Sequence, residues 1–186
     1  MKKQPELTDS TRTAFLQAFC DCYAEKPLEK ITVKEIPEKA GYSRVTFYNY
    51  FRDSYDLLNY MEDDFIAYIT REILTNVEQD KNLGNFIFTF TKALKEQNLY
   101  SQIFLCDPQH SSLFTSHLKP KLLPLFLQAF GIPSDHQKAV YAFEFYIPGV
   151  ISVISHWIQR PESLSIEELA ELVEGILKEG VLSQLK

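Results

Sequence analysis

Disulfide chemistry is excluded first, because the 186 residues hold only three cysteines. Cys20 and Cys22 stand two apart and Cys106 lies alone in an apolar run. They read as small hydrophobes kept reduced. A Cys-x-Cys pair without a second ligand pair is no zinc signature, and no metal spacing links His110, His117, His136 and His156, so no metal is expected. Glycine is scarce as well, with six in the chain, which leaves little material for phosphate-cradling loops. Neither a Gly-rich phosphate loop, a nucleophile elbow nor a His-Glu-x-x-His motif occurs, so no catalytic residues and no cofactor are expected. Long apolar runs are missing too. The longest, Tyr146 to Ile158, is broken by Pro148, Gly149, Ser152, Ser155 and His156, short of the roughly 20 clean residues a membrane span needs. The opening Met1-Lys2-Lys3-Gln4-Pro5 leads into polar residues rather than an apolar stretch, so no signal peptide, no membrane partner and a cytoplasmic location are expected.

Positive charge is in short supply overall, with a formal net charge of −6. Its distribution is uneven. Residues 1–52 carry nine Lys/Arg against seven Asp/Glu, whereas residues 53–186 carry ten against eighteen. Between Ala40 and Arg52 there are two arginines and no acid. Nucleic-acid binding needs local positive potential, since charges beyond about 10 Å are screened at physiological salt.

What the chain does have is helical periodicity. Ala14, Phe15, Ala18, Phe19, Cys22 and Tyr23 share one helix face in a segment from about Thr8 to Ala24, with Thr8, Asp9 and Ser10 as N-cap candidates and Pro27 beyond its end. Thr32 and Glu35 have capping-box spacing for a second helix running to Ala40 and stopping at Gly41. Pro37 would fall at its fifth position, removing a bond to Val33 and giving a distorted or tight first turn rather than loss of the helix. Ser43 caps a third helix through Phe51, with Phe47 and Phe51 turned to the core and Tyr48 and Tyr50 partly to solvent. A long helix from Asp53 or Ser54 to about Val77 follows, then a turn at Asp80–Gly84. Further helices are expected at about 84–97, 99–106, 111–130, 134–159 and 165–184, with Pro120 and Pro124 kinking or splitting the third of these. Without β-period segments, the fold class is all-α: residues 1–52 form a helix-turn-helix head, and residues 53–186 a helical-bundle body.

Two helices joined by a short Gly-containing turn form a helix-turn-helix, whose second helix enters the major groove of double-stranded DNA. Ser43 and Thr46 offer hydroxyls to phosphate or base, and Arg44 can hold a guanine edge in two bonds. Tyr48, Asn49 and Tyr50 flank the same helix. Thr32, Lys34, Tyr42 and Val45 complete the candidate DNA-contacting set.

The stretch from Ile31 to Phe51, ITVKEIPEKAGYSRVTFYNYF, resembles the TetR-family signature. That pattern is Thr-hydrophobic-x-x-Ile-Ala-x-x-Ala-Gly-hydrophobic-Ser-x-x-Thr-Phe/Leu-Tyr-x-His/Tyr-Phe. The resemblance implies a three-helix DNA-binding head, a variable ligand-binding body and a homodimer built by the last two helices on a palindromic operator. It also implies a transcription regulator, here read as a repressor released by a small molecule. Two positions depart from the pattern. Pro37 replaces a small residue, and Ser54, followed by Tyr55, replaces a phosphate-contacting lysine, leaving Arg52 as the nearby charge. That second departure keeps another reading open: a coregulator that acts through a protein partner with little DNA binding of its own.

The body matches the family more loosely. Its Gly149, Ser152 and Gly175 permit close helix approach, and Ser165-x-x-Glu168 repeats the capping box at the last helix. The body is rich in aromatics, which serve either as core or as the lining of an apolar effector pocket. Phe86, Phe90, Phe104, His117, Tyr141, Glu144 and Phe145 are the candidate ligand-binding residues for a small hydrophobic effector.

Overall fold

The computed structural model describes residues 5–77, 82–160 and 164–180, and all regular structure among them is helical. The chain divides into two compact units, Met1–Asp63 and Asp64–Lys186. The division falls inside a helix, rather than ahead of it at residue 53.

In the first unit, α1 spans Pro5–Glu25, a 3₁₀ turn Leu28–Lys30, α2 Glu35–Ala40 and α3 Arg44–Tyr48, and α4 begins at Ser54 and runs to Val77. Helix α1 starts before the expected caps, so Asp9 lies inside it and accepts a bond from Arg12 at 3.2 Å. The unit closes around Phe15, which has no exposed surface. The rings of Tyr42, Phe47, Tyr50 and Phe51 meet it at centroid distances of 5.4, 5.3, 5.8 and 6.4 Å. The Tyr42 ring is tilted and the other three meet Phe15 edge to face, and such edge-to-face pairs add about 0.5–1.5 kcal/mol each beyond the area they bury.

The second helix corrects the sequence reading. Glu35, not Thr32, opens α2. The Glu35 carboxylate accepts from the Thr32 backbone N–H at 2.8 Å and from its hydroxyl at 2.9 Å, so Thr32 donates its hydroxyl instead of capping with it. Pro37 therefore sits in the first turn, where the helix leaves N–H groups unpaired in any case, behind a tight turn closed by the Glu35 N–H on the Thr32 carbonyl at 3.1 Å. Gly41 ends the helix in the left-handed region at φ 76°. Its N–H reaches the Glu38 carbonyl while that of Tyr42 reaches Pro37, the paired closure that only a residue tolerant of positive φ permits at low cost.

The second unit holds the remainder of α4, α5 (Leu83–Glu96), α6 (Asn98–Ser101), a π-helical turn (Gln102–Cys106), α7 (Pro108–Ala129), α8 (Gln137–Ile158) and α9 (Ile166–Gly180). The single helix expected at 99–106 is thus two pieces of different winding. The expected end of the last helix at 184 and the start of the Asp80–Gly84 turn lie outside the described residues, and Leu83 and Gly84, expected in that turn, already belong to α5. Helix α9 opens on a reciprocal capping box, Ser165 N–H to Glu168 at 2.7 Å and Glu168 N–H to Ser165 Oγ at 3.1 Å. Helix α7 is not split, although Pro120 and Pro124 lie inside it. Both prolines and Ser116 are exposed, so the carbonyls deprived of a helical donor turn to water. Phe65, Phe104 and Phe114 stack in the core, with Phe114 at 5.3 Å from Phe65 and 5.4 Å from Phe104. Helix α8 is 22 residues long and, by length and composition, apolar enough to cross a membrane, which the broken run at 146–158 did not lead us to expect. Here Phe143, Ile147, Ile151 and Ile154 are buried within the unit.

Candidate nucleic-acid interface

Five residues make α3, too few for a helix to persist on propensity alone. Two devices hold it. Ser43 Oγ accepts the Thr46 N–H at 3.1 Å and lies 2.9 Å from the Thr46 hydroxyl, and Phe47 is wholly buried against Phe15. Anchoring Phe47 turns the opposite side outward. Val45 is 74% exposed and Tyr48 58% exposed, and Arg44 and Asn49 are also at the surface. Among the described residues Arg44 forms no ion pair. The outer face of α3 and its C-cap therefore present a guanidinium, an isopropyl group, a phenol and an amide together, groups able to meet a guanine edge, a thymine methyl and backbone phosphate.

The other candidates divide. Ser43 is exposed at the cap, and Tyr42 lies beside it, half committed to Phe15. Thr46 is half-buried by its bond to Ser43. Thr32 is exposed but tied to Glu35, and Lys34 is exposed 3.8 Å from Glu38. Tyr50 is not on the outer face: its ring packs on Phe15 and under the Arg12 guanidinium, 5.9 Å away. Helix α3 ends at Tyr48, earlier than Phe51, and this shortening directs Tyr50 inward.

At the start of α4 the second departure noted from sequence, at Ser54, takes physical form. Ser54 is buried, with 5% exposure, whereas Tyr55 is 53% exposed, so the phenol, and not the hydroxyl, faces solvent here. Asp53 Oδ1 caps α4 by accepting the Asp56 N–H at 2.8 Å. Asp56 accepts the Arg52 N–H at 2.9 Å and its guanidinium at 3.0 Å. These bonds hold the Asp56 carboxyl below its ordinary value and raise Arg52 above its own. Arg52 thus approaches any phosphate with its charge partly answered. Nearby, Lys26 bonds Glu35, and together with the Thr32 donors it lowers the Glu35 carboxyl to about 2.

The second unit brings together only part of the expected ligand set. Phe86 and Phe90 line an apolar cavity of about 50 Å³ with Phe126, Phe143, Tyr146 and Leu177. Phe104 belongs instead to the Phe65–Phe114 stack. His117 is exposed, and Glu144 is exposed and bonded to Lys119. Tyr141 and Phe145 are 75% and 74% exposed, on the outer side of α8. Their four-residue spacing puts them on one helix face, but the buried face is that of Phe143 and Ile147. Among the described residues no three His, Cys, Asp or Glu side chains gather as a metal site. Cys20 and Cys22 are buried, and burial, reinforced by Asp21, pushes the Cys20 thiol up to about 12.

Comparison with known proteins bears on the head and on the fold separately. Residues 15–61 match the family model of bacterial regulatory proteins of the tetR family. No curated protein matches the chain by sequence. Among solved structures, the fatty acid degradation regulator FadR from Bacillus halodurans is similar at TM-score 0.70 and 15% identity, over 97% of this chain and 98% of that one. FadR from Bacillus subtilis, solved in complex with stearoyl-CoA, is similar at TM-score 0.67 and 16% identity, over 91% and 98%. SmeT, the repressor of the Stenotrophomonas maltophilia multidrug efflux pump SmeDEF, reaches TM-score 0.67 and 16% identity over 91% of both. At these identities the structural likeness speaks for the fold alone. With its helix-turn-helix matched from Phe15 to Met61 and its helices arranged as in such regulators, the chain carries the DNA-binding head and the fold of the tetR family of bacterial transcription regulators.

Proposed function

We propose that the protein is a cytoplasmic, homodimeric transcription repressor that sets α3 of each subunit in the major groove of a palindromic operator and is released by a small apolar effector. The observation that carries this reading is the outer face of α3 and its C-cap, where Arg44, Val45, Tyr48 and Asn49 face outward with no acid among them. Support for the dimer comes from the body. Tyr141 and Phe145 on α8 and Leu172 and Ile176 on α9 are large apolar residues left at the surface, and Cβ positions at Gly149 and Gly175 face open space. A twofold axis through such faces fixes the spacing of the two recognition helices at about one helical turn of DNA or a multiple. Support for the effector is the cavity beside Phe86 and Phe90, all apolar and, at about 50 Å³, far below the roughly 300 Å³ that ligand sites start from. A ligand therefore enters by spreading α5, α7, α8 and α9, and the strain is relieved by a changed separation of the recognition helices. The stearoyl-CoA of the Bacillus subtilis FadR structure is an apolar-chain precedent within the same fold.

The test is genome-wide DNA capture with the purified protein, followed by gel shifts on the recovered palindrome. Arg44→Ala should cost about 1–3 kcal/mol of operator affinity, and Tyr48→Phe should also weaken it. Unchanged affinity in both variants refutes the reading. The burial of Ser54 and the engagement of Arg52 by Asp56 favour one alternative, a coregulator working through a protein partner. Recovery of a stoichiometric protein with no enriched palindrome would select it.

A further inference from the structure

We propose that Val45 and Asn49 form a base-reading pair at the floor of the major groove, Asn49 holding an adenine edge and Val45 covering the methyl of a thymine on a neighbouring base pair. Each operator half-site then carries A·T pairs at these two places. The inference deepens the DNA-binding reading above and rests on it: that reading supplies the groove, and this one says which side chains face its floor and which bases lie there.

Rotation about the α3 axis separates floor from flank. Phe47 is wholly buried and fixes the inward direction. Asn49, although the C-cap, keeps helical backbone angles at φ −75° and ψ −14°, so the winding continues through it. At about 100° per residue, Val45 and Asn49 each lie about 160° from Phe47, one on either side of the outward direction. Thr46 and Tyr48 stand only about 100° from Phe47 and Arg44 about 60°, on the flanks. Exposure agrees. Thr46 is half-buried, whereas Val45 is more exposed than Tyr42, Tyr48 or Tyr55, the other large apolar residues at the surface of the first unit.

The chemistry of the two side chains selects the bases. An isopropyl group neither donates nor accepts, and the thymine C5-methyl is the apolar group of the major-groove edge. Among the described residues the Asn49 side-chain amide makes no hydrogen bond; only its backbone N–H is engaged, on the Thr46 carbonyl at 3.2 Å. That amide carries a donor and an acceptor side by side, the complement of the adenine N7 acceptor and N6 donor. Guanine offers two acceptors instead, which would leave the amide oxygen facing an oxygen. Four residues apart on one helix face, the Cβ atoms of the pair are about 5–6 Å apart, between one and two base-pair rises of about 3.4 Å. The two contacts therefore fall on neighbouring base pairs.

The experiment is fluorescence anisotropy of the full chain on the palindrome recovered by genome-wide capture, with single bases replaced at matching places in both half-sites. Deoxyuridine in place of thymidine removes the C5-methyl alone, and 7-deazaadenine in place of adenine removes the N7 acceptor alone. At one half-site position each, deoxyuridine should weaken binding of the parent protein at least about threefold and 7-deazaadenine at least about fivefold. The first penalty should vanish in Val45→Ala and the second in Asn49→Ala, each variant keeping the other's penalty. Both side chains are exposed, so neither substitution opens the core. A palindrome bound without these penalties, or a penalty that persists in its matching alanine variant, overturns the pair while the DNA-binding reading stands. Failure to bind any duplex overturns both.

Discussion

Glu174 lays its carboxylate directly over Gly84: a Cβ built on that glycine would stand 2.5 Å from Glu174 Oε2. Gly84 is the second residue of α5, behind the Asn82 cap, so an α9 carboxylate rests at the positive end of α5, with Lys178 bonded to it at 2.5 Å. The missing methyl is what lets α9 settle there.

Gly84→Ala sets two effects of similar size against each other. Alanine gains about 0.5–1 kcal/mol over glycine within a helix, and expelling the carboxylate forfeits a helix-terminus interaction of about 0.3–1 kcal/mol. The expected change in urea-unfolding free energy is near zero. In a Glu174→Ala background only the gain remains, and the same substitution should stabilise by the full helical increment. Equal effects in both backgrounds would show that the two residues are not coupled.

Ser43 separates folding from recognition. Ser43→Ala removes the cap of α3 and should cost about 1 kcal/mol of stability, weakening DNA binding along with it. Ser43→Asp keeps a capping oxygen, and hence stability, but sets an anion where phosphates approach. Thermal melting should leave Ser43→Asp close to the parent while anisotropy titrations on operator DNA show affinity lost.

The Glu35 bonds make the head acid-sensitive. Its carboxyl is lowered from 4.5 to about 2 by the Lys26 hydrogen bond and the two Thr32 donors. A group depressed on folding contributes stability that is present above its unfolded value and is lost as pH falls through the folded one. Stability should therefore decline between about pH 4.5 and pH 2, and Glu35→Gln should flatten that part of the profile in pH-dependent denaturation.

Asp56 should act as a brake on DNA affinity through Arg52. Asp56→Asn leaves the guanidinium free for phosphate, steepening the dependence of log affinity on log salt by about one unit. Base preference in a mismatch series should stay as it was. An unchanged slope would mean that Arg52 does not face the duplex.

Paired substitution of Tyr141 and Phe145 by lysine should give a monomer by light scattering, with helical content retained, because neither side chain supports the core of its own unit. Operator affinity should fall with it, since each half-site then binds alone.

The head was readable from sequence because its determinants are local. A cap such as Ser43 acts across three residues, Gly41 answers a backbone requirement within one turn, and the Phe47–Phe51 spacing states which face is buried. The errors there were also local in origin. Capping-box spacing at Thr32 and Glu35 does not reveal which oxygen accepts, and the resulting shift of the helix start moved Pro37 from a disruptive position to a harmless one.

In the body the amino-acid order fixed that helices form and roughly where, because a 3.6-residue period and proline breaks are properties of the chain itself. It did not decide which aromatic rings enter the cavity. Phe143 and Phe145 are alike in type and two residues apart, yet the first lines the cavity and the second faces solvent. Two residues along a helix are about 200° of rotation, and the face turned inward is chosen by α5 and α7, brought alongside only when the chain closes on itself.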